Sequence, residues 1–256
     1  MKTLNLLITF VILILGLPSC AHKSGHTKQN PIQGIVVENS NLSKQNTNVK
    51  ECSQQNLNVS ISNNRGDKNR LDGSKIFSRY NTAVFMVYTS DGHNGYQGSA
   101  FFINNSGLAV SNYHVFQGTN KGKERIKLAG IDEIYNVSEV IHYNDEEDFI
   151  LFRVNVSNTN FIPLAKNKPQ VGEKVFAIGS PRGLENTFSS GEVSQWRDTY
   201  LMQISALIDH GSSGGALINE YGEVVGITSG SFADGSQANL NYAWSIDVIK
   251  PYVQCR

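Results

Sequence analysis

The stretch ALINEYGEVV at residues 216–225 contains two short apolar runs separated by an Asn-x-x-Gly sequence. An earlier stretch, AFFINNSGLAV at residues 100–110, has the same pattern when one gap is allowed. In both stretches the Asn can begin a turn, and the Gly can adopt the left-handed backbone conformation that closes it. The repeat predicts two similar β-hairpins and supports a fold of two β-barrels.

The other apolar segments also have the character of β-strands. They are short, they are dominated by β-branched and aromatic residues, and Gly, Asn and Asp separate them, which is typical of an all-β fold. Strict alternation in Leu57–Ile61 predicts one further short edge strand. Only WSIDVIK at residues 244–250 favours a helix, with Ser245 as its N-cap. The main strand segments are residues 83–88, 100–103, 148–154 and 174–178.

Three chemically complementary residues flank these predicted strands in the order His, Asp, Ser. His114 follows the first hairpin, Asp148 precedes an apolar strand, and Ser213 precedes the second hairpin. A serine hydroxyl becomes a good nucleophile when an imidazole accepts its proton, and a carboxylate then fixes the tautomer of that imidazole. The order predicts a catalytic triad, in which Ser213 is the nucleophile and His114 the general base and later the general acid.

The glycines around Ser213 allow a second interpretation. The pattern Gly211-x-Ser213-x-Gly215 also fits the nucleophile elbow of α/β-hydrolases, in which the serine comes first and the histidine last. All 6 histidines of this chain precede Ser213, so that scheme has no base. Ser212 lies one residue out of register with the glycines and is the weaker nucleophile candidate.

Neighbouring residues of the same types are weaker candidates for the base and its carboxylate. We expect His142 in a polar loop, and the position of His210 does not follow from the sequence. Glu146 and Glu147 are expected to face solvent. Asp148 directly precedes an apolar strand and is therefore expected to be partly buried.

Five blocks of the chain resemble signature sequences of the trypsin/chymotrypsin superfamily, most closely its bacterial HtrA (Deg) branch. The resemblance covers roughly residues 76–253 and implies an all-β fold of two six-stranded antiparallel barrels, at residues 76–156 and 160–256, with a short C-terminal helix. It implies a serine endopeptidase that forms an acyl-enzyme intermediate, and no PDZ domain is expected after residue 256. The blocks are GSAFFI (98–103), SNYHV (111–115), DFIL (148–151), AIGSPRGL (177–184) and GSSGGAL with GEVVGI (211–217 and 222–227).

The same resemblance implies an oxyanion hole formed by the backbone N–H groups of Gly211 and Ser213. The chain departs from the branch nearby, because His210, Ser212 and Ala216 stand where the branch usually has Pro, Asn and Pro. None of these departures removes a member of the triad. The competing interpretation is a catalytically silent peptide-binding lipoprotein on the same fold.

The resemblance also implies a substrate pocket. Leu207 and Ile208 precede the nucleophile at positions that shape the primary pocket, and Ile227, Thr228 and Ser229 are expected to pair with the substrate backbone by strand addition. An apolar pocket offers no carboxylate to Lys or Arg. We therefore expect cleavage after small or medium aliphatic residues in unfolded polypeptides.

Residues 1–19 resemble a bacterial lipoprotein signal peptide. The apolar run at residues 6–17 is shorter than the roughly 20 residues that span a bilayer. Leu17-Pro18-Ser19-Cys20 resembles a lipobox, which implies cleavage before Cys20 and lipidation of its thiol. The alternative is an ordinary secretory signal that ends in Cys. We expect an exported protein, lipid-anchored to a membrane of the bacterial cell envelope.

Residues 20–75 are rich in Asn, Ser, Gln and Lys and are expected to form a largely disordered tether before a protease domain at residues 76–256. The chain has 22 Lys and Arg and 22 Asp and Glu, and this balance does not suggest nucleic-acid binding. Cys52 and Cys255 can form a disulfide after export or remain free thiols. No Cys/His cluster with metal-ligand spacing stands out, so we expect no metal and no cofactor. The sequence leaves the oligomeric state open.

Overall fold

The computed structural model describes residues 57–64, 70–231 and 240–254. This part of the chain begins with a two-residue strand, β1 (Ile61–Ser62), and an eight-residue helix, α1 (Gly73–Tyr80). None of the helices described is long and apolar enough to cross a membrane. The signal sequence, Cys20, Cys52 and Cys255 lie outside the described residues.

Seven strands form a curled antiparallel sheet in the N-terminal half of the fold. The sheet has the order β6-β5-β2-β3-β4-β8-β7 and forms a half-barrel. Its strands are β2 (Val84–Ser90), β3 (Gly95–Phe102), β4 (Leu108–Ser111), β5 (Arg125–Leu128), β6 (Ile134–Tyr135), β7 (Val137–Asn144) and β8 (Phe149–Val154).

A closed six-stranded barrel forms the C-terminal half. The strands follow the order β14-β13-β10-β11-β12-β15, and pairing of β15 with β14 closes the ring. The first strand of this half, β9, pairs with β14 outside the ring. The strands are β9 (Leu164–Ala165), β10 (Lys174–Gly179), β11 (Thr187–Trp196), β12 (Leu201–Ile204), β13 (Ala216–Asn219), β14 (Val224–Ser231) and β15 (Asn241–Ser245).

Alternate residues of the strands belong to different hydrophobic clusters, because successive side chains of a strand point to opposite faces. In β3, Phe101 packs in a cluster that both sheets share, whereas Phe102 packs in a cluster of the half-barrel. In β13, Ile218 faces the shared cluster and Leu217 faces a cluster of the closed barrel. Both faces of these strands are buried, which explains why their sequences are continuous apolar runs.

Both predicted hairpins form, and they use the same turn. Oδ1 of Asn104 accepts two backbone N–H groups of its own turn, both at 3.0 Å, and Oδ1 of Asn219 accepts two at 2.9 and 3.0 Å. Gly107 and Gly222 have φ values of 80° and 76°, as a left-handed turn position requires. These hairpins are β3–β4 and β13–β14, one in each sheet.

The predicted all-β, chymotrypsin-like fold with a short C-terminal helix is confirmed. The helix is α2 (Lys250–Val253), and it follows a 3₁₀ turn in which the hydroxyl of Ser245 accepts the N–H of Asp247 at 3.3 Å. The closed barrel has the six strands expected. The N-terminal sheet differs, because seven strands form it and no pairing among the described residues closes it.

Two elements at the start of the described chain differ from the predictions. The expectation that only the C-terminus is helical is wrong, because Asp72 caps the first turn of α1, and Ile76 and Tyr80 bury one face of it in the shared core. Within the segment assigned to the tether, strict alternation predicted an edge strand at Leu57–Ile61. The strand in the structure, β1, is Ile61–Ser62, and it pairs in parallel with β9. The eight-stranded sheet is therefore not wholly antiparallel.

Candidate active site

His114 lies in a 3₁₀ turn (Tyr113–Val115) that follows β4. Its ring Nδ1 is 2.8 Å from Oδ2 of Asp148, and its backbone N–H donates to Oδ1 of the same carboxylate at 2.9 Å. These two contacts fix the orientation of the ring. Because Nδ1 is bound to the carboxylate, Nε2 is the nitrogen left to accept a proton. The His114 side chain is 44% exposed, so a substrate can reach it.

Asp148 is held from both halves of the molecule. It precedes β8 with a φ of 44°, a left-handed conformation that is uncommon for a residue other than glycine. Buried Asn112 supports this conformation by donating Nδ2 to the Asp148 carbonyl oxygen at 2.8 Å. The hydroxyl of Ser229, from β14, donates to Oδ2 at 3.1 Å. The carboxylate is therefore fixed at the junction of the two sheets.

Ser213 lies in the loop between β12 and β13, and together with His114 it lines a pocket of about 340 Å³. Its carbonyl oxygen accepts the N–H of Ser99 from β3 at 2.8 Å, which ties this loop to the half-barrel. Ser212 is buried and lines a different cavity. Of the two adjacent serines, it is Ser213 that shares a pocket with His114.

The residues predicted to form an oxyanion hole lie in a tight loop. Gly211 has a φ of 93°, and its carbonyl oxygen accepts the Ser99 hydroxyl at 2.7 Å. The His210 carbonyl accepts the N–H of Arg182 at 2.7 Å. The C=O of His210 and the N–H of Gly211 belong to the same peptide group, and a trans peptide places them on opposite sides. The Gly211 N–H therefore points away from Arg182. Within the described chain, the N–H groups of Gly211 and Ser213 donate to no protein acceptor. Both can bind a ligand oxygen.

Two glycines near Ser213 allow close packing that a side chain would prevent. A Cβ at Gly214 would lie 2.1 Å from the carbonyl oxygen of Ser99, so only glycine lets the loop approach β3 this closely. A Cβ at Gly230 would lie 3.3 Å from Oγ of Ser213. The absence of a side chain there leaves space beside the hydroxyl.

An ion pair joins the loop at residues 209–214, the oxyanion loop, to the 3₁₀ turn Pro181–Gly183, which follows β10. Nε of Arg182 donates to Oδ2 of Asp209 at 2.7 Å, and Oδ1 accepts the N–H of His210 at 2.7 Å. The hydrogen bond from Arg182 lowers the pKa of Asp209, and the same bond raises the pKa of Arg182. Both side chains are well exposed, so the pair contributes little to global stability, and its effect is local.

Three of the residues predicted for the substrate pocket line one cavity of about 680 Å³ beside β10 and β11. They are Leu207, Ile208 and Thr228. Ile227 does not belong to this group, because its side chain is buried in the shared core and its backbone pairs with β13 and β15. The prediction that Ile227 pairs with the substrate is wrong, because both of its strand edges are occupied.

The free edge of β14 begins after Thr228. The carbonyl of Thr228 accepts the N–H of Gly214 at 2.7 Å, and its N–H donates to the carbonyl of Gly215 at 3.0 Å, so this residue cannot pair with a substrate backbone either. From Ser229 to Ser231, no described strand pairs on that side. An extended peptide can add there as a strand.

The two remaining histidines of interest have different surroundings. His142 lies in β7 and not in the polar loop expected, its ring stacks on Tyr252 at 3.8 Å, and burial lowers its pKa. This histidine is part of the packing. His210 lines the same pocket as Ser213 and His114. Among the residues that the structure describes, no group of three or more His, Cys, Asp or Glu could hold a metal ion.

Sequence reasoning missed three polar residues that hold the site together: Gln97, Ser99 and Asn112. Ser99 and Asn112 lie inside the blocks that carry the family resemblance, so their positions could have drawn attention. Gln97 precedes the first block and gives no signal in the sequence. All three act on backbone groups that only the fold brings within reach.

A family model for the trypsin-like peptidase domain matches residues 98–227, a span that includes His114, Asp148 and Ser213. This match covers half of the chain, and the chain belongs to that family. The relatives with known names are of the HtrA type, the branch that the sequence blocks resemble.

Relatives with known names support this placement. The mitochondrial serine protease HTRA2 of Drosophila grimshawi is 27% identical over 215 residues, which cover 76% of this chain and 49% of that protein. A probable periplasmic DegP-like serine endoprotease of Halomonas elongata is 33% identical over 160 residues, which cover 59% of this chain and 33% of that protein. The chain thus spans half or less of the length of these relatives.

The crystal structure of the serine endoprotease from Yersinia pestis has the same fold. It superimposes with a TM-score of 0.63 and 24% sequence identity, over 71% of this chain and 66% of that chain. At this level of identity the likeness is evidence for the fold alone.

Proposed function

We propose that this protein is a serine endopeptidase that hydrolyses peptide bonds through His114, Asp148 and Ser213. The observation that carries the proposal is the 2.8 Å contact between Nδ1 of His114 and Oδ2 of Asp148, beside a pocket that His114 shares with Ser213. Membership of the trypsin-like peptidase family supports it, and so do the names of the relatives, which describe serine proteases and endoproteases.

In the proposed acylation step, Oγ of Ser213 attacks the carbonyl carbon of the scissile peptide bond, and Nε2 of His114 takes the hydroxyl proton. The negative oxygen of the tetrahedral intermediate accepts hydrogen bonds from the N–H groups of Gly211 and Ser213. Asp148 stabilises the imidazolium. His114 then gives its proton to the departing amine, the C–N bond breaks, and an ester on Ser213 remains.

Deacylation repeats this chemistry with water. Nε2 of His114 takes a proton from a water molecule, whose oxygen attacks the ester carbonyl. The second tetrahedral intermediate uses the same two N–H donors. His114 then returns the proton to Oγ of Ser213, the ester bond breaks, and the carboxylic acid product leaves.

The proposed substrates are extended segments of unfolded polypeptides. The free edge of β14 at residues 229–231 can pair with a peptide backbone beside Ser213, and a folded protein does not offer such a segment. Leu207 and Ile208 provide no charge, and Asp209, which lines the same cavity, is paired with Arg182. We therefore propose cleavage after small or medium aliphatic residues.

We also propose that the protein works at the bacterial cell envelope. Residues 1–19 would act as a signal peptide, Cys20 would carry the lipid, and the polar segment that follows would connect it to the protease domain, with Cys52 and Cys255 able to pair after export. The lipobox-like sequence supports this proposal, and one relative is named a periplasmic endoprotease. Mass spectrometry of the mature N-terminus tests it, since an unmodified N-terminus downstream of Cys20 would exclude the anchor.

Single-serine variants test the catalytic proposal. The wild-type protein should hydrolyse fluorescein-labelled casein, and Ser213→Ala should reduce the rate by at least about 10⁴-fold, because the nucleophile is gone. Ser212→Ala is the matched control and should retain most of the activity. An inactive wild-type protein that still binds unfolded casein would support the catalytically silent alternative, and loss of activity in Ser212→Ala alone would reassign the nucleophile.

A further inference from the structure

The side chain of Gln97 extends from β3 to the oxyanion loop and binds four backbone groups. Its Nε2 donates to the carbonyl oxygens of Ser180 at 2.9 Å, Gly211 at 3.3 Å and its neighbour Gly98 at 2.9 Å. Its Oε1 accepts the N–H of Gly183 at 3.1 Å. Three partners are acceptors and one is a donor, which fixes the orientation of the amide. Because the NH2 group has two hydrogens, one of them is shared between two carbonyl oxygens, and the 3.3 Å contact to Gly211 is the longest of the three.

These bonds surround the peptide group that carries the Gly211 N–H. Gln97 binds both ends of the segment 180–183, and from the middle of that segment the N–H of Arg182 holds the His210 carbonyl. The same amide binds the carbonyl on the other side of Gly211. Gln97 therefore restrains the peptide group between His210 and Gly211 indirectly, through the segment 180–183. It restrains the peptide group that follows Gly211 directly, by binding the Gly211 carbonyl oxygen.

Two other side-chain links join the same parts of the chain. The Arg182–Asp209 ion pair links the segment 180–183 to the oxyanion loop, and it lies exposed to solvent. Ser99 fixes the Gly211 carbonyl at 2.7 Å, and its hydroxyl also accepts the N–H of Ser180 at 2.9 Å. Among these residues, only Gln97 contacts both ends of that segment together with Gly211.

We propose that Gln97 is a positioning residue of the oxyanion hole, which acts by holding the Gly211 N–H toward the substrate carbonyl. The inference rests on the proposed function, because the oxyanion hole is part of the peptide hydrolysis proposed above. A donor that is fixed before the reaction stabilises the developing negative charge without reorganisation in the transition state. Loss of Gln97 should therefore lower kcat and leave ground-state binding, measured by KM, nearly unchanged.

The test replaces Gln97 by residues of similar size that cannot donate. Gln97→Glu keeps an acceptor for Gly183 and turns a carboxylate toward three carbonyl oxygens, whereas Gln97→Met removes the donors without adding charge. With an aliphatic peptide p-nitroanilide, both variants should lose about 10- to 100-fold in kcat, with KM within about twofold of wild type. Gln170→Glu, the same change at an exposed position, is the control and should keep wild-type kinetics.

The outcomes separate this inference from the proposed function. If the wild-type protein does not hydrolyse casein or the p-nitroanilide, the proposed function fails. If the wild type is active, and both Gln97 variants are folded by circular dichroism and keep kcat within twofold of wild type, the positioning role is overturned. A change in KM with unchanged kcat would also overturn it. If Gln97→Glu fails to fold, Gln97→Met decides.

Discussion

At the scale of single residues, the site depends on Asp148 more than its position in an acidic run suggests. Its carboxylate accepts the backbone N–H of His114 and the hydroxyl of Ser229 and contacts the His114 ring. Asn112 holds its backbone in the left-handed region. Three polar contacts to the carboxylate and one to the backbone carbonyl fix the direction of this side chain.

Asp148→Asn should leave the fold intact and lower the rate of casein hydrolysis at neutral pH by about 10⁴-fold, because an amide cannot hold the imidazole in the tautomer that accepts a proton at Nε2. Initial rates and circular dichroism of the purified variant check this. Glu147→Gln is the matched control, because Glu147 bonds to Asn144 and not to His114. A large loss in Glu147→Gln with near-normal rates in Asp148→Asn would reassign the carboxylate.

That His114, Asp148 and Ser213 belong to one site could be predicted from the sequence, because each lies beside an apolar strand and within a block that resembles the family's signature sequences. The contributions of Gln97 and Asn112 could not. Each binds backbone groups far away along the chain, and backbone groups are the same in every sequence. Their partners become visible only once the strands are paired.

At the scale of elements, the two Asn-x-x-Gly hairpins were predictable because a turn is a local structure. Asn104 and Asn219 bond within their own turns, so the spacing of Asn and Gly contains the information. Helix α1 was not predicted, because its eight residues are few and include Gly73 and Ser74. Its apolar residues are buried by β-strands from a distant part of the chain, and tertiary packing decides its conformation.

Asn219 should matter for stability beyond its turn. Its Nδ2 donates to Oε2 of Glu223 at 2.9 Å, and the other carboxylate oxygen accepts the N–H of Asn64 at 2.7 Å, so a buried acid depends on it. Asn219→Ala should reduce the free energy of unfolding by about 2–4 kcal/mol, because it leaves a buried carboxylate and two turn N–H groups with fewer partners.

Urea unfolding of Asn219→Ala, compared with wild type and Asn105→Ala, measures this effect. Asn105 lies in the equivalent hairpin turn of the half-barrel, and its side chain is exposed, so its replacement should change the free energy of unfolding by less than about 0.5 kcal/mol. Equal stability of the two variants would show that the Glu223 contact does not contribute.

At the scale of the whole molecule, the site lies where the half-barrel meets the closed barrel. The half-barrel supplies His114 and Asp148, and the closed barrel supplies Ser213. Hydrogen bonds cross the junction from Ser229 to Asp148 and from Ser99 to Gly211. Neither half holds all of the groups that the proposed chemistry needs.

The two-sheet architecture followed from the internal repeat and the family blocks, but three features of it did not. The N-terminal sheet has seven strands, β1 joins β9 in parallel, and Ile227 faces the core. Each depends on which strands become neighbours across long stretches of chain. A strand pattern shows which residues alternate, and it does not show which of the two faces meets the substrate.

The central claim is that Ser213 is a nucleophile activated by His114, and the site of modification by a fluorophosphonate probe tests it most directly. The probe reacts with an activated serine and stays attached, so proteolysis and mass spectrometry can locate it. We predict one adduct, on Oγ of Ser213, and its near-complete loss in a folded His114→Ala variant. An adduct on Ser212, equal labelling of His114→Ala, or a folded wild-type protein that does not react would contradict the claim.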